Sequence, residues 1–84
     1  MGTGNGVIPG IYRHFKGGLY RVILIADHTE TEEKLAVYYE IDKAGRRKNK
    51  EVTYARPILM FQETILVEGK AVPRFQYIGG NLIY

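Results

Sequence analysis

The sequence contains no cysteine and no serine. Without thiols there is neither a disulfide framework nor a thiolate zinc site, so packing alone must hold the fold. The same two absences remove the commonest nucleophiles of covalent catalysis, and a catalytic set is not expected. Histidine is scarce as well. His14 and His28 fall on separate predicted elements and show no ligand spacing such as H-x-x-x-H, so no metal site is expected. Long apolar runs are missing: the longest, residues 22–26, falls far short of the ~20 residues of a membrane helix. The first six residues have neither the basic stretch nor the hydrophobic stretch of a signal peptide. A cytoplasmic protein without membrane contact is expected. Glycines at 2, 4 and 6 resemble a phosphate loop only superficially, since no strand precedes them and no Gly-Lys-Ser/Thr follows. Lys16-Gly17-Gly18 is explained by a hairpin turn. No cofactor is expected.

What is present is a compact β composition. Of 84 residues 45% are hydrophobic, with β-branched and aromatic types prominent, enough for one small core. Ten glycines act as punctuation, and the segments between them alternate with a period of two. Strands are predicted over 11–14, 19–26, 34–41, 51–56, 63–67 and 72–78. In 34–41, Leu35, Val37, Tyr39 and Ile41 fall on one face and Ala36, Tyr38 and Glu40 on the other. Residues 19–26 are apolar on nearly both faces, as in a central strand that bends. Residues 58–61 suit a single buried helical turn. Five or six short antiparallel strands with tight turns predict an all-β SH3-like barrel or roll, with an OB-type barrel second because the helix that type carries is absent. The domain is expected over 10–78, after a flexible leader, 1–9, and before a tail or edge strand, 79–84. That tail, with Leu82, Ile83 and Tyr84, offers homodimer formation by strand addition.

Charge is local. Lys43, Arg46, Arg47, Lys48 and Lys50 lie together without an acid; removing those five from the chain's 12 basic residues leaves seven against 9 acidic ones. The net basicity therefore belongs to the 43–50 loop. Five adjacent cations are a plausible contact for nucleic-acid phosphates, and seven tyrosines supply rings on which bases could stack. A ring cluster from Tyr12, Tyr20, Tyr38, Tyr39, Tyr54 and Tyr77 could equally form a peptide groove or cation cage. The plainer readings are a solvated loop, and tyrosines filling half-buried strand positions.

With these residues in view, the chain resembles a bacterial family catalogued as domain of unknown function 1653. The resemblance rests on Gly10-Ile11-Tyr12-Arg13-His14-Phe15-Lys16-Gly17-Gly18-Leu19-Tyr20 and on Ala26-Asp27-His28-Thr29-Glu30-Thr31. It continues through Val37-Tyr38-Tyr39, Arg56-Pro57 and Met60-Phe61-Gln62-Glu63 to Val72-Pro73-Arg74-Phe75-Gln76-Tyr77-Ile78. Two departures stand out. Tyr54 lies where the family tends to carry a tryptophan, and the 42–51 hairpin is longer and more basic than the usual connection. The resemblance implies an SH3-like architecture and no established activity. Its polar residues His14, Lys16, His28, Glu30, Arg56 and Arg74 mark the expected ligand site. Each also has a structural reading: the arginines could pair with Glu63 or Glu30 across strands, and His28 could cap its turn. The sequence thus leads to a small non-enzymatic binding or interaction module, for a small molecule or a protein. Single-stranded nucleic-acid binding through the 43–50 loop is the alternative.

Overall fold

A computed structural model describes residues 6–80. Seven strands and one helical turn follow in order: β1 (Gly10–His14), β2 (Leu19–Asp27), β3 (Lys34–Ile41), β4 (Tyr54–Pro57), α1 (Ile58–Phe61), β5 (Thr64–Val67), β6 (Lys70–Pro73) and β7 (Phe75–Gly79). The domain is all-β, as expected, but it is not a closed barrel. Five strands form one antiparallel sheet in the order β4-β3-β2-β1-β7, and β5 and β6 form a separate two-stranded sheet.

The expected central strand is β2, and its double-sided apolarity has a specific cause. Val22 pairs with Tyr38 while Leu24 pairs with Val37, so Ile23 is an extra, bulged residue. A bulge inverts the side-chain alternation beyond it. Val22 lies in the core, with Tyr20 and Ile25 packed against it, and Ile23 and Leu24 are left exposed. On β3 the core face is the one carrying Ala36 and Tyr38.

The core is built from rings. Phe61 and Phe75 stack at 4.1 Å with nearly parallel planes. Tyr12 and Tyr38 meet Phe61 edge-on at 5.1 and 5.4 Å, the geometry that ring quadrupoles favour. The predicted helical turn is α1, and it sinks Ile58 and Phe61 while leaving Leu59 81% exposed.

Three boundaries differ from expectation. The strand expected over 72–78 is broken at Arg74, which makes the strand total seven. There the N–H of Arg74 donates to the Glu63 carbonyl and its own carbonyl accepts from the Phe15 N–H, so the chain changes sheets at that residue. Residues 49–52 turn instead of extending, with Val52 N–H donating to the Asn49 carbonyl, and β4 therefore starts only at Tyr54. Finally, the leader expected over 1–9 joins the domain from Val7 onward. Val7 is buried in the core. The Tyr12 hydroxyl donates to the Ile8 carbonyl at 2.8 Å and accepts the Ile8 N–H at 3.0 Å. Residues 1–5 of the leader and 81–84 of the expected tail lie outside the described residues.

Candidate functional site

The core face of the large sheet does not end in a closed ring plane. At the end nearest the β1–β2 turn it opens into a cleft of about 210 Å³ lined by His14, Tyr20, Tyr38, Tyr54, Arg56 and Phe75. Register brings them together. His14 pairs with Phe75, Tyr12 with both Tyr20 and Tyr77, Tyr38 with Tyr54, and Ala36 with Arg56. Residues directly opposite across an antiparallel ladder share a face, so every strand of the sheet contributes to one wall.

The rings form a continuous network. Tyr20 meets Tyr38 at 5.6 Å, Phe75 at 5.6 Å and Tyr54 at 6.5 Å. His14 meets Phe75 edge-on at 4.9 Å. Burial raises the Tyr20 hydroxyl above its ordinary pKa, and Glu40, Tyr54 and Tyr38 reinforce that while Arg56 opposes it. His14 moves the other way. Burial lowers its pKa first, and the positive charges of Arg74, Lys16 and Arg56 lower it further. Its Nδ1 accepts the backbone N–H of Lys16 at 3.1 Å, which leaves the proton of the neutral ring on Nε2.

Arg56 is the notable cation. Its Nε donates to the Tyr38 hydroxyl at 3.2 Å, and its guanidinium lies 6.0 Å from the Phe75 ring centroid. Four ion pairs, Lys34–Asp27, Arg46–Asp42, Lys48–Glu40 and Arg74–Glu63, are formed, and among the described residues Arg56 is in none.

The residues singled out in the sequence separate into three groups. His14 and Arg56 line the cleft. Lys16 and Arg74 stand behind His14 as charges; Arg74 is committed to Glu63 at 2.7 Å, and its buried Nε has no hydrogen-bond partner. His28 and Glu30 do not join them. They sit in the β2–β3 turn, at the far end of nine-residue β2, where His28 Nδ1 accepts the Glu30 N–H at 3.0 Å and the Thr31 N–H at 3.4 Å. The structural reading of His28 as a turn cap holds. Phe75 was not singled out as a lining residue; only the β1–β7 register places it opposite His14.

The basic loop is largely occupied with itself. Asp42 accepts the N–H groups of Ala44 and Arg46 and the Arg46 side chain. The Arg46 backbone bond is the first cause that holds its carboxyl below the usual range. Arg47 donates to the Asn49 and Val52 carbonyls and to Thr53 and covers the Tyr39 ring at 4.2 Å. Lys48 pairs with Glu40 at 3.2 Å. No ion pair engages Lys43 or Lys50 among the described residues.

Among those residues no group of three His, Asp or Glu side chains is placed to hold a metal, and no helix is long and apolar enough to cross a membrane.

Comparison with known proteins agrees with the fold. The family model described as Protein of unknown function (DUF1653) matches residues 10–77. The crystal structure of a protein of that family from Bordetella bronchiseptica superposes with a TM-score of 0.76 at 29% identity, covering 94% of this chain and 96% of the other. No curated protein matches.

Proposed function

The chain belongs to the DUF1653 family, and from that premise we propose that it is a small non-enzymatic binding module whose ligand site is the aromatic cleft around His14 and Arg56. The observation that carries this reading is the convergence of all five strands of the large sheet on one open wall. A face of a small domain that leaves four rings, an imidazole and a guanidinium around an open cleft departs from what packing alone requires. The lining holds one imidazole and no carboxylate, so the carboxylate partner that most often orients a catalytic imidazole has no counterpart in it. A cytoplasmic location and an SH3-like roll belong to the same reading.

A small molecule or a short protein segment suits the cleft better than a nucleic-acid strand suits the loop. Arg46, Arg47 and Lys48 already have local partners, and the counterions they could release on binding phosphates are correspondingly fewer. Pairing of two copies would use the sheet's open edges, β4 and β7.

The test is an NMR screen of a chemically mixed fragment set, carrying neutral, cationic and anionic members, against the isotope-labelled full chain. Hits should cluster on Tyr20, Tyr38, Tyr54 and Arg56. Hits confined to other surfaces would refute the assignment of the site.

A further inference from the structure

We propose that the cleft recognises a monoanionic carboxylate borne on a single flat ring, with the Arg56 guanidinium as its fork. The inference rests on the cleft being the ligand site and goes further by naming the ligand class.

Three features of the cleft point to it. The first is donor capacity. A guanidinium carries five N–H donors, and the protein uses one, on Nε, for the Tyr38 hydroxyl. Both terminal nitrogens remain without a protein acceptor among the described residues, in a cleft whose lining contains no carboxylate. Two parallel N–H groups on a planar fork match the two oxygens of a carboxylate.

The second is charge. Lys16 and Arg74 add positive potential behind His14, but Arg74 already holds Glu63. Glu40, the acid whose charge acts on Tyr20, is paired with Lys48. Lys16 is in no ion pair among the described residues but lies outside the lining. The one cation in the cleft wall is therefore the Arg56 guanidinium, beside an imidazole whose pKa is lowered, and it neutralises one negative charge. A dianionic phosphate ester would leave a charge unmatched in a partly desolvated site.

The third is shape. The cleft's 210 Å³ equals the liquid volume of roughly seven waters and lies below the ~300–1,000 Å³ of drug-sized sites. One ring and one carboxylate fill it. The walls that would receive the ring are themselves rings, and Tyr54 is 44% exposed, so an incoming ring gains offset or edge contacts. A related pairing, one ring with one carboxylate held two carbons apart, is presented by the C-terminal residue of a peptide ending in phenylalanine or tyrosine, so the source is either a free aryl acid or such a chain end.

The experiment is a titration of the full chain, followed by NMR, with benzoate, its neutral isostere benzamide, and a short peptide ending in phenylalanine as free acid and as amide. Benzoate should shift the cleft residues and bind at least about tenfold more tightly than benzamide, the scale of a charge-assisted pair. Arg56→Gln should erase that preference, and Arg56→Lys, which keeps charge but loses the fork, should recover only part of it. If Arg56→Gln does not fold, the benzoate–benzamide ratio on the unaltered chain still decides. A peptide acid that binds at least tenfold better than benzoate assigns the source to a chain terminus; equal or weaker binding assigns it to a free acid. Equal affinity for benzoate and benzamide at the cleft overturns the carboxylate proposal and leaves the cleft standing as a ligand site. Shifts confined to residues outside the cleft overturn it as well, and the mixed fragment screen then judges the site separately.

Discussion

The hydroxyl of Tyr12 is a clamp whose strength can be measured by one oxygen atom. Tyr12 is 4% exposed, and its ring packs edge-on against Phe61 and Tyr77. Its hydroxyl both donates to and accepts from the backbone of Ile8, and burial raises its pKa despite the bond to Ile8. Tyr12→Phe keeps the ring contacts and removes both bonds. Two ordinary hydrogen bonds contribute ~0.5–1.5 kcal/mol each, and a buried group left unpaired costs ~1–3 kcal/mol. Ile8, however, is 53% exposed, so water reaches its peptide groups once the hydroxyl is gone. The loss should therefore sit near about 1 kcal/mol, a fall in Tm of roughly 4–8 °C for a domain this size. Thermal melting by circular dichroism measures that fall, and hydrogen exchange at the Ile8 amide should accelerate beyond the global effect. A melting temperature unchanged within 2 °C, taken as roughly half the smallest expected shift, together with an unchanged Ile8 exchange rate would refute the claim that this pair anchors the segment before β1.

Gly10 has φ +147, and a Cβ there would meet a Tyr77 ring carbon at 2.7 Å and the Gly79 carbonyl at 2.9 Å. Gly10→Ala should cost at least about 1–3 kcal/mol in urea unfolding from backbone strain alone. Glu68 and Gly69 both take positive φ, 51 and 81, the mirror-image turn that prefers Asn-Gly; Glu68→Asn should raise stability by up to about 1 kcal/mol in the same assay. The folded-state pKa of His14 lies below the ordinary 6.5, so between the two values the unfolded chain binds more protons than the folded one. Stability should fall as pH drops from 6.5 toward the folded value, and His14→Gln should flatten that part of the denaturation profile. A carboxylate beside His14 opposes the positive charges of Arg74, Lys16 and Arg56. Benzoate affinity should therefore rise, with proton uptake in calorimetry, as pH falls through the same window.

Much of this architecture was legible because its signals are local. Glycine at 17 and 69 marks turns, alternation marks β3, and a four-residue apolar run after Pro57 marks α1. What escaped was set by partners distant in sequence. The bulge at Ile23 is a property of the β2–β3 register, and the break at Arg74 of its bonds to Glu63 and Phe15. The same division runs through the site. His14 and Arg56 were marked by the family resemblance, as polar residues of its motifs, and the tyrosines by their number in predicted strands, as a possible cluster. Yet His28 and Glu30 belong to a neighbouring motif at the other end of β2, because proximity along the chain is not proximity across a sheet. Phe75 needed the pairing of the first strand with the last.

That pairing governs how the chain can be made. Tyr12 faces Tyr77 across the ladder, and the Phe61–Phe75 stack closes over Tyr12 only when β7 exists. At ~5–20 residues per second, a ribosome needs on the order of 3–13 s after adding Tyr12 to reach its partner. During that interval β1 to β4 can hairpin together, but their inner face has no lid of rings. Vectorial synthesis thus ends in a single late locking event, and a nascent chain stopped before Phe75 presents to the cell the aromatic surface that the finished domain hides.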